Sequence, residues 1–139
     1  MEQIKTITNS EPKFYKGDIR TINGVNILSD IMKSNDIDSI MHFAAFKSVN
    51  ESVNNPLKYY NNNISGTISL LEMMKENNVK NIIFSSSCTV YGQPDKYPVC
   101  EETLTKKPES PYGETKQVCE NILENTSKKE DINVVSLRY

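Results

Sequence analysis

Short apolar runs alternate along this chain with longer stretches of helical period, and that alternation restricts the fold more than any other feature. Residues 39–45 (SIMHFAA), residues 80–86 (KNIIFSS) and Asn133–Leu137 (NVVSL) are compact and apolar. They are too short for helices and have the character of buried strands. Between them the period changes. From Ile22, the apolar residues Val25, Leu28, Ile31 and Met32 recur at three or four, which predicts an amphipathic helix ending near Asn35. Pro56 suits a first helical turn, where its missing N–H is no loss. Residues 57–77 follow as the longest helical candidate, with Ile64, Ile68, Leu71 and Met74 on one stripe and Tyr60, Asn63 and Thr67 on a neighbouring face. Ser110-Pro111 opens a second long helix that runs to about Lys128, with Val118, Ile122, Leu123 and Thr126 on its buried side. A short apolar-aromatic stretch at residues 13–16, closed by Gly17-Asp18, reads as a further strand ahead of these.

Strands separated by helices of this length need crossovers. Right-handed crossovers build a parallel sheet with helices on both faces. The expectation is therefore an α/β fold, a partial doubly wound parallel layer of Rossmann type in one domain over residues 1–139. Residues 91–110, with Gly92, Pro94, Pro98 and Pro108, predict a loop without an element of its own. No Gly-x-Gly-x-x-Gly loop occurs, and the sequence stops directly after a strand run at Leu137-Arg138-Tyr139. Both ends read as cut, which predicts an incomplete domain.

Composition excludes several classes. Lys and Arg number 16 against 18 Asp and Glu, a net charge of −2, so no field of one sign is available to hold nucleic acid. Cys88, Cys100 and Cys119 stand apart without CxxC spacing, which argues against a disulfide framework and a zinc site. No metal is expected. No apolar run approaches membrane-spanning length and no signal peptide is legible, so the expected location is the cytoplasm.

Two groups of residues could carry chemistry. Tyr112 and Lys116 lie four apart in the first turns of the second long helix, which stacks phenol and ammonium on one face. A free tyrosine loses its proton only near pH 10, and a neighbouring cation favours the phenolate that a general base requires. Most Tyr-x-x-x-Lys pairs are ordinary helix-surface neighbours. The second group, Ser85-Ser86-Ser87, falls at the carboxyl end of an expected parallel strand, where open α/β sheets place their ligands. The same hydroxyls could instead satisfy loose backbone groups.

These motifs together resemble the extended short-chain dehydrogenase family, in particular its nucleotide-sugar epimerase branch. The resemblance rests on residues 84–92 (FSSSCTVYG) followed by residues 111–116 (PYGETK), on residues 42–49 (HFAAFKSV), on Glu51-Ser52-Val53, on residues 56–67 (PLKYYNNNISGT) and on Gly17-Asp18-Ile19-Arg20. It holds in register from about Gly17 to Tyr139. The family often has glycine where this chain has Ala45, which demands an allowed backbone angle there. The resemblance implies that Tyr112 is the base, that Lys116 binds the nicotinamide ribose and supports the phenolate, and that Ser87 bridges the sugar 4-hydroxyl. It implies an NAD cofactor, with Asp18 and Ile19 at the adenine, Phe43, Ala44, Ala45, Phe46 and Lys47 along the dinucleotide, and Asn62 near the nicotinamide ribose. His42, the sole histidine, is expected to fill a strand position. The implied reaction is inversion at C4 of a UDP-sugar through a 4-keto intermediate. The family's glycine-rich loop and substrate lobe are expected outside this sequence, leaving residues 1–139 inactive alone, and the complete protein is expected to be a homodimer. Related dehydratases and decarboxylases place a carboxylate just after the strand-end Ser or Thr, whereas Cys88-Thr89 stand there in this chain.

Overall fold

A computed structural model describes residues 2–21 and 26–139. Three strands, β1 (Ser39–His42), β2 (Asn81–Ser85) and β3 (Asn133–Leu137), pair in parallel in the order β1-β2-β3. The helices are α1 (Glu2–Thr8), α2 (Ile27–Ser34), α3 (Val49–Asn54), α4 (Pro56–Tyr59), α5 (Ser65–Glu76) and α6 (Pro111–Glu130). Because the strands pair in chain order, right-handed crossovers carry α5 and α6 over the same face of the sheet. The core lies there. Met32 of α2, Leu70, Leu71 and Met74 of α5, and Cys119 and Leu123 of α6 pack with Ile82 and Phe84 of β2.

The opposite face is bare among the described residues. Met41, Ile83 and Val135 stand side by side across the three strands, and Met41 and Val135 are 67% and 53% exposed. The described residues thus supply one covered face of the doubly wound arrangement.

Several element boundaries differ from the sequence reading. Residues 13–16 form no strand: Lys13 and Tyr15 direct their polar ends to Asn35, and Phe14 is exposed. The first amphipathic helix begins at Ile27, capped by Asn26, whose side chain accepts from Leu28 N at 2.9 Å; Ile22 and Val25 lie outside the described residues. The run at 39–45 pairs only as far as His42. Beyond it, the backbone N–H and C=O of Phe46 bond the side chain of Asn63 rather than a strand, so the chain leaves the sheet.

The longest helical segment starts at Pro56 as its composition requires, but Tyr60–Ile64 widens into a π-helical turn before α5 continues. Such turns re-aim side chains and are frequent at functional sites. On α6 the buried residues are Thr115, Lys116, Cys119 and Leu123, while Val118, Ile122 and Thr126 sit at the flank. The polar Thr115, Lys116 and Cys119 are inside because each finds a hydrogen-bond partner there, a condition that apolar periodicity does not register.

Candidate active site at the carboxyl edge of the sheet

Residues 43–47, residues 86–92 and Arg138-Tyr139 all follow the carboxyl ends of their strands, and the start of α6 meets them there. Ser110 caps α6, accepting from Gly113 N at 3.1 Å, and Pro111 fills the first turn. Gly113 has no side chain because Thr89 and Pro108 crowd it; a Cβ would lie 3.0 Å from Pro108 and 3.2 Å from Thr89. That close approach seats the helix start, and so Tyr112, against the turn that follows Ser87.

Lys116 is 3% exposed. Its Nζ donates to the carbonyl of Ser85 at 2.7 Å, lies 4.8 Å from the ring centre of Phe84 and stands 5.9 Å from the ring centre of Tyr112. Burial pushes its pKa below the usual lysine value. One ammonium hydrogen is fixed by Ser85, and the other two remain to be shared. Ser87, also buried, accepts from Thr89 N at 3.3 Å and from Thr89 Oγ1 at 3.0 Å while capping the 3₁₀ turn Cys88–Tyr91. Both bonds use its lone pairs, which leaves its own O–H to donate. Tyr112 is half-buried at the same corner. A cavity of about 390 Å³ opens at the Ser110 cap of α6, lined also by Val49, Cys88, Thr89, Tyr97 and Glu109 among others; Tyr112 itself does not line it. The glutamate there comes from the long loop and not from the strand end.

Behind this corner lies a polar cluster that the sequence pattern did not reveal. His42 Nε2 is 3.2 Å from Thr67 Oγ1, and Thr67 donates to the carbonyl of Asn63. Burial, and then the charge of Lys116, depresses the pKa of His42 to about 4. The imidazole is therefore neutral at pH 7 and fills a strand position, as its sequence context suggested. Asn63 bonds Phe46 N at 2.9 Å, Phe46 O at 3.0 Å and Thr115 Oγ1 at 3.0 Å, tying the loop after β1 to α6. Sequence reasoning singled out Asn62 and left Asn63 as one face of the helix. The signal available was only the run Asn61-Asn62-Asn63, which does not say which amide turns inward.

On the other side of the β1 loop, Asp18, Ile19, Ala44, Ala45, Phe46 and Asn62 line one open cleft of about 460 Å³ with Lys16 and Gly17. The structure therefore gathers six of the residues proposed for the dinucleotide. Phe43 is 59% exposed, Lys47 is exposed, and neither lines that cleft. Hydrogen bonds from the Arg20 side chain and backbone hold the Asp18 carboxyl down to a pKa of about 2, so it is ionised and fixed. Ala45 takes no left-handed backbone angle, which removes the demand for glycine there.

A parallel α/β layer with a tyrosine, a buried lysine and a strand-end serine on its carboxyl edge defines a Rossmann-type domain of the extended short-chain dehydrogenase class. Within that class, the chain belongs to the family described as GDP-mannose 4,6 dehydratase, whose model matches residues 1–139, including those ahead of Gly17. It is similar to the UDP-glucose 4-epimerase of Lactobacillus helveticus, at 47% identity over 91% of this chain and 37% of that protein. It is likewise similar to that of Neisseria meningitidis serogroup C, at 46% identity over 100% of this chain and 40% of that protein. The crystal structure of UDP-glucose 4-epimerase from Bifidobacterium longum in complex with NAD+ and UDP superposes with a TM-score of 0.92 at 42% identity, covering 99% of this chain and 41% of that one. The chain thus spans about 40% of the length of the curated relatives it matches.

Proposed function

We propose that this chain is the nucleotide-binding and proton-transfer portion of a UDP-glucose 4-epimerase. The observation that carries the proposal is the buried Lys116, held by the Ser85 carbonyl with its Nζ 5.9 Å from the Tyr112 ring centre, at the strand end that also carries a Ser87 hydroxyl free to donate. The relatives supply the substrate class, since those compared above at 42% to 47% identity are UDP-glucose 4-epimerases.

In this reading Tyr112 takes the proton from the sugar 4-hydroxyl and returns it after the 4-keto sugar has presented its other face. Lys116 supports the phenolate electrostatically and binds a ribose hydroxyl. Ser87 donates to the oxygen on C4 and holds it toward Tyr112. Asp18, Ile19, Ala44, Ala45, Phe46 and Asn62 would hold the NAD cofactor in their cleft, where an ionised carboxylate and an amide could partner its hydroxyls; the cofactor would supply the hydride chemistry. Phe43 and Lys47, exposed on the adjoining loop, would complete the site for the dinucleotide from outside that cleft. No carboxylate follows Ser87 in the chain, where Cys88-Thr89 stand, and this favours epimerisation over the elimination in the family's name.

The complete protein is a homodimer in this reading, with the groove of Ile68, Leu71, Ile122 and Thr126 between α5 and α6 as part of its two-fold contact. A cytoplasmic location agrees with the three free thiols. Among the described residues no helix is long and apolar enough to cross a membrane. The test is NMR observation of UDP-galactose and, separately, GDP-mannose with a protein carrying these residues at the length of its relatives. Conversion of UDP-galactose to UDP-glucose supports the proposal. Accumulation of a 4-keto-6-deoxy sugar from GDP-mannose, with no epimerisation, overturns it.

A further inference from the structure

One helical turn beyond Lys116, Glu120 lies on the same face of α6. Its Oε1 accepts from Ser86 Oγ and from Arg138 Nε at 3.0 Å, and its Oε2 accepts from Arg138 Nη2 at 2.8 Å. Arg138 Nη1 donates to the hydroxyl of Tyr91 at 3.1 Å, and that hydroxyl donates to the carbonyl of Cys100 at 3.0 Å. The guanidinium also stands 5.0 Å from the centre of the Tyr91 ring. This cluster is largely withdrawn from water: the side chains of Glu120 and Arg138 are 11% and 25% exposed, and Ser86 and Tyr91 are buried. It joins four segments at one point, namely α6, the end of β2, the end of β3 and the long loop. The backbone reinforces the same joint, with Ser86 N donating to Leu137 O and Cys88 N to Tyr139 O.

A partly buried ion pair is a weak source of stability, because desolvation offsets most of its attraction. Its bidentate form does fix direction, since two parallel bonds leave the fork no freedom to swivel. Ser86 immediately precedes Ser87, and Glu120 lies one helical turn after Lys116, which itself lies one turn after Tyr112. We propose that Glu120 and Arg138 are positioning residues that set Ser87 in register with Tyr112 through Ser86 and Tyr91. The proposal rests on the epimerase reading of that corner. Neither side chain touches substrate in it; both act through the serine turn. A misplacement of the reacting groups by about 1 Å costs on the order of 100-fold in rate, so a small loss of register is a large kinetic effect.

The experiment compares Ser86→Ala, Glu120→Gln, their double variant and Arg138→Lys with the parent, in a protein carrying these residues at the length of its relatives. It measures kcat and KM for UDP-galactose, the NAD released on denaturation, and the thermal midpoint. Ser86→Ala cuts the link without stranding a charge. It is expected to lower kcat roughly 10- to 100-fold with KM, retained NAD and midpoint nearly unchanged. Glu120→Gln is expected to act on the same step, so the double variant loses no more than the worse single one. Arg138→Lys keeps the charge but not the fork, and a smaller loss in kcat is expected. Unchanged kcat in Ser86→Ala, multiplying losses in the double variant, or losses that follow the thermal midpoint alone would each overturn the proposal. A parent without epimerase turnover would instead overturn the functional reading, and the positioning role with it.

Discussion

The two sides of the carboxyl edge are built differently. At the Tyr112 corner, Lys116, Ser86, Ser87 and Thr115 are buried, and every one has a hydrogen-bond partner. Across the β1 loop, the cleft of Asp18, Ala44, Phe46 and Asn62 is open, and Phe43 projects into solvent. The groups of the corner lost water once, on folding, and under the proposed reaction they would need little rearrangement as charge developed. The cleft keeps its polar groups wet and can gain most of its order from what binds there. Asn63 links the two, with one amide bonded to the exposed loop and to the buried start of α6.

The sharpest way to break this comparison is at Tyr112. In a protein of full family length, Tyr112→Phe removes the group proposed for proton transfer, and a loss of about 10²- to 10⁴-fold in turnover is expected. NAD retention should be unchanged, as read by cofactor released on denaturation. Near-parent turnover would mean that the corner is ordered for some other purpose.

A second test addresses burial behind the corner. His42 has a folded pKa near 4 against a free value of 6.5, so the unfolded chain binds the extra proton between those limits. The stability it contributes is present above pH 6.5 and is lost as pH falls through about 4, on the order of 3 kcal/mol in total. Because the chain has one histidine, its ring-proton NMR shift reports this directly. A midpoint near 6.5 would show the cluster to be as wet as the cleft.

Asn63→Ala tests the link. It strands the Phe46 amide and carbonyl, and destabilisation by about 1–3 kcal/mol is expected in urea unfolding. Hydrogen exchange should quicken in residues 43–47 more than in α6. Equal quickening in both would mean that the two regions are one cooperative unit. The smallest effect is expected on the bare sheet face. Replacing Met41 and Val135 by Lys and Thr should raise the solubility of residues 1–139 with little change in secondary structure, since exposed apolar patches favour association. Static light scattering that shows no difference would argue that this face is not what makes the chain associate.

Much of the fold was legible because it follows from periodicity and punctuation. β3 and the two helix starts at Pro56 and Pro111 stand where composition put them, since proline and serine act through the local backbone. Where the sequence reading failed, the deciding partner was distant. Residues 13–16 look like a strand, yet Lys13 and Tyr15 turn their polar ends to the distant Asn35. Residues 43–45 look like the rest of β1, yet the Asn63 side chain takes the backbone groups of Phe46 a little further on. Ile122 and Val118 look like the buried stripe of α6, yet Lys116 and Cys119 are deeper.

The site divides the same way. Helical spacing singled out Tyr112 and Lys116, and a strand end singled out Ser85-Ser86-Ser87, but the choice of Ser87 and the roles of all three came from the family resemblance. The sequence by itself therefore determined the alternating elements, the parallel layer and the chemical groups offered at its edge. Only the tertiary structure decided which polar side chains are buried and what each one holds. Hydrogen bonds such as Lys116 to Ser85, Asn63 to Phe46 and Glu120 to Ser86 join residues 17 to 34 positions apart, and no local propensity encodes a partner at that distance.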